Sequence, residues 1–78
     1  MKLKVNLYTI LKKYGKGKIG ADRSVDLPDT TRVSDLLAFL AIPEKMGKII
    51  LVNGLPKGKE HGLTEGDEVK ILSFIGGG

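Results

Sequence analysis

The sequence predicts an α+β fold: a mixed sheet of four to five strands packed on one main helix. Two observations carry that prediction. Segments of strand character stand at both ends of the chain, and one segment of helical period lies between them. An Asn-Gly pair further divides the later strands, as a tight turn would.

The elements follow in order. Lys2–Tyr8 alternates strictly, with Leu3, Val5 and Leu7 on one face and Lys2, Lys4 and Asn6 on the other, which describes a half-buried strand. Thr9–Tyr14 is expected to turn briefly helical. Gly15–Gly20 then breaks regular structure and forms a long, mobile hairpin loop. Ser24–Leu27 is the second strand, with Val25 and Leu27 inward. Val33, Leu36, Leu37, Leu40 and Ala41 share one helical face and predict a helix over Val33–Ile42, capped by Thr30 or Thr31 and stopped by Pro43. Ile49–Val52 is a strand with Ile50 and Val52 inward. Asn53-Gly54 turns it into a short edge strand from Leu55. Lys57–Thr64 is polar loop, Glu65-Gly66-Asp67 a turn, and Glu68–Phe74 the last strand.

Composition removes several function classes. The 78 residues suffice for one domain, taken as residues 1–78. With no cysteine there is no disulfide, thiolate chemistry or cysteine-type zinc site, and the single His61 builds no metal site by itself. No apolar run reaches the length of a membrane span and the charged N-terminus is no signal peptide, so a cytoplasmic protein without membrane association is expected. Lys plus Arg is 13 against 9 acidic residues, with the excess at Lys12, Lys13, Lys16, Lys18 and Arg23. No aromatic residues interleave to stack on bases, so this reads as a solvated loop and nucleic acid is not expected.

Gly15-Lys16-Gly17-Lys18-Ile19-Gly20 matches a dinucleotide fingerprint in letters only, because it leads into a strand and not into a helix that could hold a pyrophosphate. No serine or acidic residue is placed with His61 as a catalytic set. The unusual feature is the end: an apolar strand runs without spacer into Gly76, Gly77 and Gly78. Such a tail packs nothing and is expected to be mobile, yet it can thread a channel that any Cβ would block.

Three internal stretches join that tail to make a resemblance: Val33-Ser34-Asp35-Leu36-Leu37, Ile50-Leu51-Val52-Asn53-Gly54 and Leu63-Thr64-Glu65-Gly66-Asp67-Glu68-Val69. With the terminal Gly77-Gly78 they resemble the MoaD/ThiS family of sulfur carriers, relatives of ubiquitin. The resemblance implies a β-grasp, ubiquitin-like fold. It also implies that a ubiquitin-activating-type enzyme adenylates the Gly78 carboxylate with ATP and that sulfur then replaces AMP to leave a thiocarboxylate. The chain itself would be no enzyme and would bind no cofactor, ATP being used by the activating partner. The second partner would be a molybdopterin synthase large subunit, as for MoaD, which the length and the two loops favour slightly. It would be a thiazole synthase if the chain follows ThiS, which its ending resembles. The competing class is a ubiquitin-like binding or protein-modifier module without sulfur transfer.

The resemblance and strand alternation together give a docking surface. Val69 and Ile71 inward leave Lys70, Leu72 and Phe74 on the open face, and the expected neighbouring strand adds Leu51. Leu51, Leu72 and Phe74 are therefore expected to cluster beside the root of the tail as a partner-docking patch.

Overall fold

Alternation holds through the first half of β1 (Lys2–Leu7), where Leu3 and Val5 are buried and Lys2 and Lys4 exposed; Asn6, expected outward, is buried as well, its amide donating to Glu68 Oε2 at 3.3 Å, and Leu7 is half-buried. The computed structural model describes residues 1–73. A 3₁₀ turn over Thr9–Gly15 follows, at the place expected for a brief helix, and buries Leu11 completely. The Gly-rich segment after it is less loose than its composition suggests. Ile19 folds back on the turn, and a Cβ on Gly15 would lie 2.8 Å from Ile19 Cδ1 and 3.0 Å from Leu7 Cδ1. Gly15 is thus a site of close approach, and it belongs to no nucleotide-binding loop.

Strand β2 (Ser24–Asp26) pairs antiparallel with β1 and buries Val25. Leu27, expected inside this strand, stands just beyond it and is half-buried.

The helix α1 (Val33–Phe39) is shorter than its apolar period, and both ends differ from expectation. Neither threonine caps it: the Thr31 hydroxyl donates to the Pro28 carbonyl at 2.7 Å, and Arg32 occupies the cap position. The Arg32 N–H donates to Asp35 Oδ2 at 2.9 Å, but a guanidinium only donates, so no reciprocal cap bond forms. The Val33 and Ser34 N–H groups instead donate to the carbonyls of His61 and Lys59, at 2.9 and 3.0 Å. A distant loop therefore meets the helix's free donors. At the other end the Ala41 N–H donates to the Ala38 carbonyl and the Ile42 N–H to the Leu37 carbonyl, at 3.0 and 3.1 Å. This is a Schellman closure. It places Ala41 at φ +60° and exposed, not in the core, and it ends the helix before Pro43 can act.

Strand β3 (Lys48–Val52) buries Ile50 and Val52 as alternation predicts. Asn53 and Gly54 follow at φ +53° and +87°, the two positive values a tight hairpin turn needs, and lead into the two-residue β4 (Leu55–Pro56). Leu63, read as part of a polar loop, is core: its N–H donates to the Thr31 carbonyl at 2.9 Å and its side chain is buried. Strand β5 (Glu68–Ser73) completes a five-stranded sheet in the order β2-β1-β5-β3-β4. Only the β1–β5 pair is parallel, so the sheet is mixed. Val33, Leu36, Leu37 and Leu40 of the helix segment join the inward residues of the sheet in one core. A helix of seven residues is not stable by itself, so this packing holds it in place. No helix among the described residues is long and apolar enough to cross a membrane.

An alanine in the left-handed region carries a steric cost of about 1–2 kcal/mol that glycine avoids, partly offset by glycine's greater freedom when unfolded. Ala41→Gly is expected to stabilise the protein by about 0.5–1 kcal/mol and to raise the melting temperature by a few degrees. A fall in melting temperature on thermal unfolding would contradict the Schellman assignment.

Candidate functional site at the open sheet face

The central strand β5 runs parallel to β1 on one side and antiparallel to β3 on the other. Val69 and Ile71 are fully buried, while Lys70 and Leu72 stand half-buried on the opposite face, as expected. The register sets Ile49 opposite Leu72 and Leu51 opposite Lys70. Leu51 and Leu72 are therefore diagonal neighbours on the open face. Ile49, 41% exposed, completes their patch. Alternation alone puts Ile49 outward, and only the register shows that it faces Leu72 and belongs to the docking set. Phe74, Gly76, Gly77 and Gly78 lie outside the described residues.

The loop Lys57–His61 could have covered this patch but runs elsewhere. Its Lys59 and His61 carbonyls accept from the first turn of α1, on the other side of the sheet. Ser73, where the described chain ends, sits between two neighbours: Lys48 pairs with it in β3, and its hydroxyl lies 3.4 Å from the Thr9 hydroxyl. The Lys48 ammonium is held by the carbonyls of Met46, Pro43 and Glu44, at 2.8, 3.3 and 3.3 Å. The described chain thus ends in the middle of the sheet, beside an apolar open face. Among the described residues, nothing at this face resembles an acid–base or nucleophilic set.

The sequence matches the ThiS family over residues 10–78. The chain belongs to the ThiS family. No curated protein matches it. Among solved structures, SAMP1 from Haloferax volcanii matches with TM-score 0.72 and 19% identity over 100% of both chains. A protein described as molybdopterin converting factor, subunit 1, from Pyrococcus furiosus matches with TM-score 0.72 and 20% identity, over 94% of this chain and 97% of that one. At such identities the structures speak for fold alone, and that fold is the ubiquitin-like β-grasp. The MoaD/ThiS resemblance and the α+β fold expected from sequence both stand.

The family-like stretch Leu63–Val69 now has a physical account. Asp67 is buried, and its carboxylate accepts from the Thr64 N–H at 2.9 Å, the Asn53 side-chain amide at 2.9 Å and the Thr64 hydroxyl at 3.1 Å. Asn53 Oδ1 accepts from the Glu68 N–H at 3.0 Å, and the Asn53 N–H donates to the Glu68 carbonyl at 2.8 Å. Gly66 N–H reaches the Lys2 carbonyl at 2.8 Å, and Glu65 Oε1 accepts from the Lys2 N–H at 2.9 Å. The turn before β5 is thereby tied to the β3–β4 turn and to the start of β1. Sequence reading took Asp67 for a turn residue and missed this node.

The remaining candidates carry less. Lys12, Lys13, Lys16, Lys18 and Arg23 are all exposed, as a solvated loop would have them. The described residues contain no group of acidic and histidine side chains able to hold a metal ion.

Burial alone would raise the Asp67 carboxyl, but its three hydrogen bonds, helped by nearby His61, hold it below the ordinary carboxylate range. A lowered folded-state pKa means the contribution is full above the unfolded value and fades as pH falls through the folded one. Asp67→Asn should cost about 1–3 kcal/mol at neutral pH. The gap between variant and parent in denaturant unfolding should shrink below pH 4, roughly the ordinary carboxylate pKa. An equal gap at all pH values would contradict the charged node.

Proposed function

We propose that this chain is a sulfur carrier whose working group is the carboxylate of Gly78. The observation that carries the reading is the family match, which extends through residue 78 and so includes the glycine tail. A partner of the ubiquitin-activating type would join that carboxylate to the α-phosphorus of ATP, releasing pyrophosphate. A sulfur nucleophile would then displace AMP. The logic is elementary: a carboxylate resists attack by sulfur, whereas an acyl adenylate offers a good leaving group. The carrier contributes reach and orientation, and the catalysis belongs to its partners. Glycines at 76, 77 and 78 suit a narrow channel, Ile49, Leu51 and Leu72 supply a docking face, and Phe74 is proposed to add to it. ATP is used by the activating partner.

The acceptor of the sulfur is proposed to be a cofactor precursor, of the pterin class if the chain acts like MoaD and of the thiazole class if it acts like ThiS. The full-length likeness to SAMP1, a small archaeal modifier protein, favours a second reading, in which the activated Gly78 forms an amide with a lysine of another protein. Both readings require the same activation step, and an amide-linked conjugate in place of a thiocarboxylate distinguishes them.

ATP–pyrophosphate exchange by the activating enzyme tests the shared step. Exchange should depend on the chain, should vanish when residues are added after Gly78, and should fall at least tenfold for Leu72→Asp with an unchanged melting temperature. A loss of about 1.4 kcal/mol at a docking contact already gives that factor. Exchange sustained by an uncleaved extended chain would overturn the proposal.

A further inference from the structure

The edge of the sheet next to the helix is incompletely covered. Strand β4 pairs with β3 only at Leu51 and Val52. The Lys57 N–H then donates to the Ile50 carbonyl at 3.0 Å, and the chain departs toward the helix. The Asn53 N–H donates to the Glu68 carbonyl, so Ile49 and Leu51 direct their main-chain groups toward β5. Lys48 and Ile50, by antiparallel alternation, direct theirs outward. Among the described residues no protein group meets the outward Ile50 N–H or the Lys48 carbonyl.

Beside this edge lies a cleft of about 710 Å³. Its floor is apolar, made by Leu37, Ala38 and Ile42, with Met46 at one end. Lys57 and Lys59 stand on its rim, and of its lining residues only Glu44 is acidic. Lys59 meets Glu44 at 3.4 Å in an exposed pair, which holds neither charge firmly. The rim therefore keeps a positive balance.

We infer that this cleft takes an extended segment of a partner protein, which adds as a further strand along Lys48–Ile50. Aliphatic side chains on its inner face cover the floor, and carboxylates beside them meet Lys57 and Lys59. Unpaired main-chain groups call for an extended peptide and would be wasted on a compact ligand. The lysine rim, in turn, selects for acidic neighbours. This surface meets the Leu51–Leu72 face only at Ile49, which also lines the cleft, and the inference does not rest on tail chemistry.

The test is an NMR titration of the full chain with a short, end-blocked peptide alternating glutamate with leucine or valine. A second peptide carries N-methyl groups on its edge-facing amides. The first should give saturable shifts at Lys48 and Ile50 and slow the exchange of the Ile50 amide. The methylated peptide should bind about tenfold more weakly, the loss expected of a hydrogen bond or two. Ala38→Arg, at an exposed helix position, should weaken binding similarly with the melting temperature unchanged. No saturable shift, equal binding of both peptides, or shifts confined to Leu51 and Leu72 would overturn the inference. No activating enzyme is present, so such a failure would leave the sulfur-carrier proposal untouched.

Discussion

The buried carboxylate of Asp67, with the Asn53 amide and the Thr64 hydroxyl and N–H it holds, decides how β5 enters the sheet. Because side chains alternate, a slip of one residue there would exchange Val69 and Ile71 for Lys70 and Leu72 in the core. The node prevents that slip by joining the turn before β5 to the turn after β3. Asn53 serves twice: its backbone takes the positive φ of the hairpin, and its side chain bridges Asp67 to the Glu68 N–H. The outward direction of Leu72, and the place where the chain leaves the sheet, follow from this contact.

Much of the fold was legible because it depends on period alone. The alternation of Lys2–Val5 and Ile49–Val52, the helical stripe from Val33 to Leu40 and the Asn53-Gly54 turn each use local rules that no distant contact overrides. What was not legible depended on partners far away in sequence. The helix start is satisfied by carbonyls of Lys59 and His61, more than twenty residues on, so Thr30 and Thr31 were reasonable caps that the structure does not use. The helix end places an alanine where glycine is usual, so the ordinary stop signal was missing. Leu63 looked like a stray apolar residue in a polar loop, and only the bridge between Arg32 and Gly62 turns it inward.

The candidate site divides in the same way. The outward faces of Leu51 and Leu72 followed from alternation, whereas the inclusion of Ile49 needed the register between β3 and β5. The edge of β3 could not be read at all, since nothing in the sequence says where β4 ceases to cover its neighbour. The two surfaces also differ in character. The open face presents side chains, suited to the broad contact that orients a carrier on an enzyme. The edge presents main-chain groups and suits a strand. A domain this small can keep both because β3 serves each, its outward side chains joining β5 in the open face and its outer main-chain groups forming the edge.

In the proposed function the terminal carboxylate is the reacting group and the folded domain its handle. Intact mass spectrometry of the chain, produced together with its activating enzyme and a sulfur donor, tests this most directly. The account predicts a species heavier by the difference between one sulfur and one oxygen atom, with the increment confined to the C-terminal fragment that contains Gly78. A chain of unchanged mass under conditions where the activating enzyme consumes ATP, or an increment on any other fragment, would contradict it.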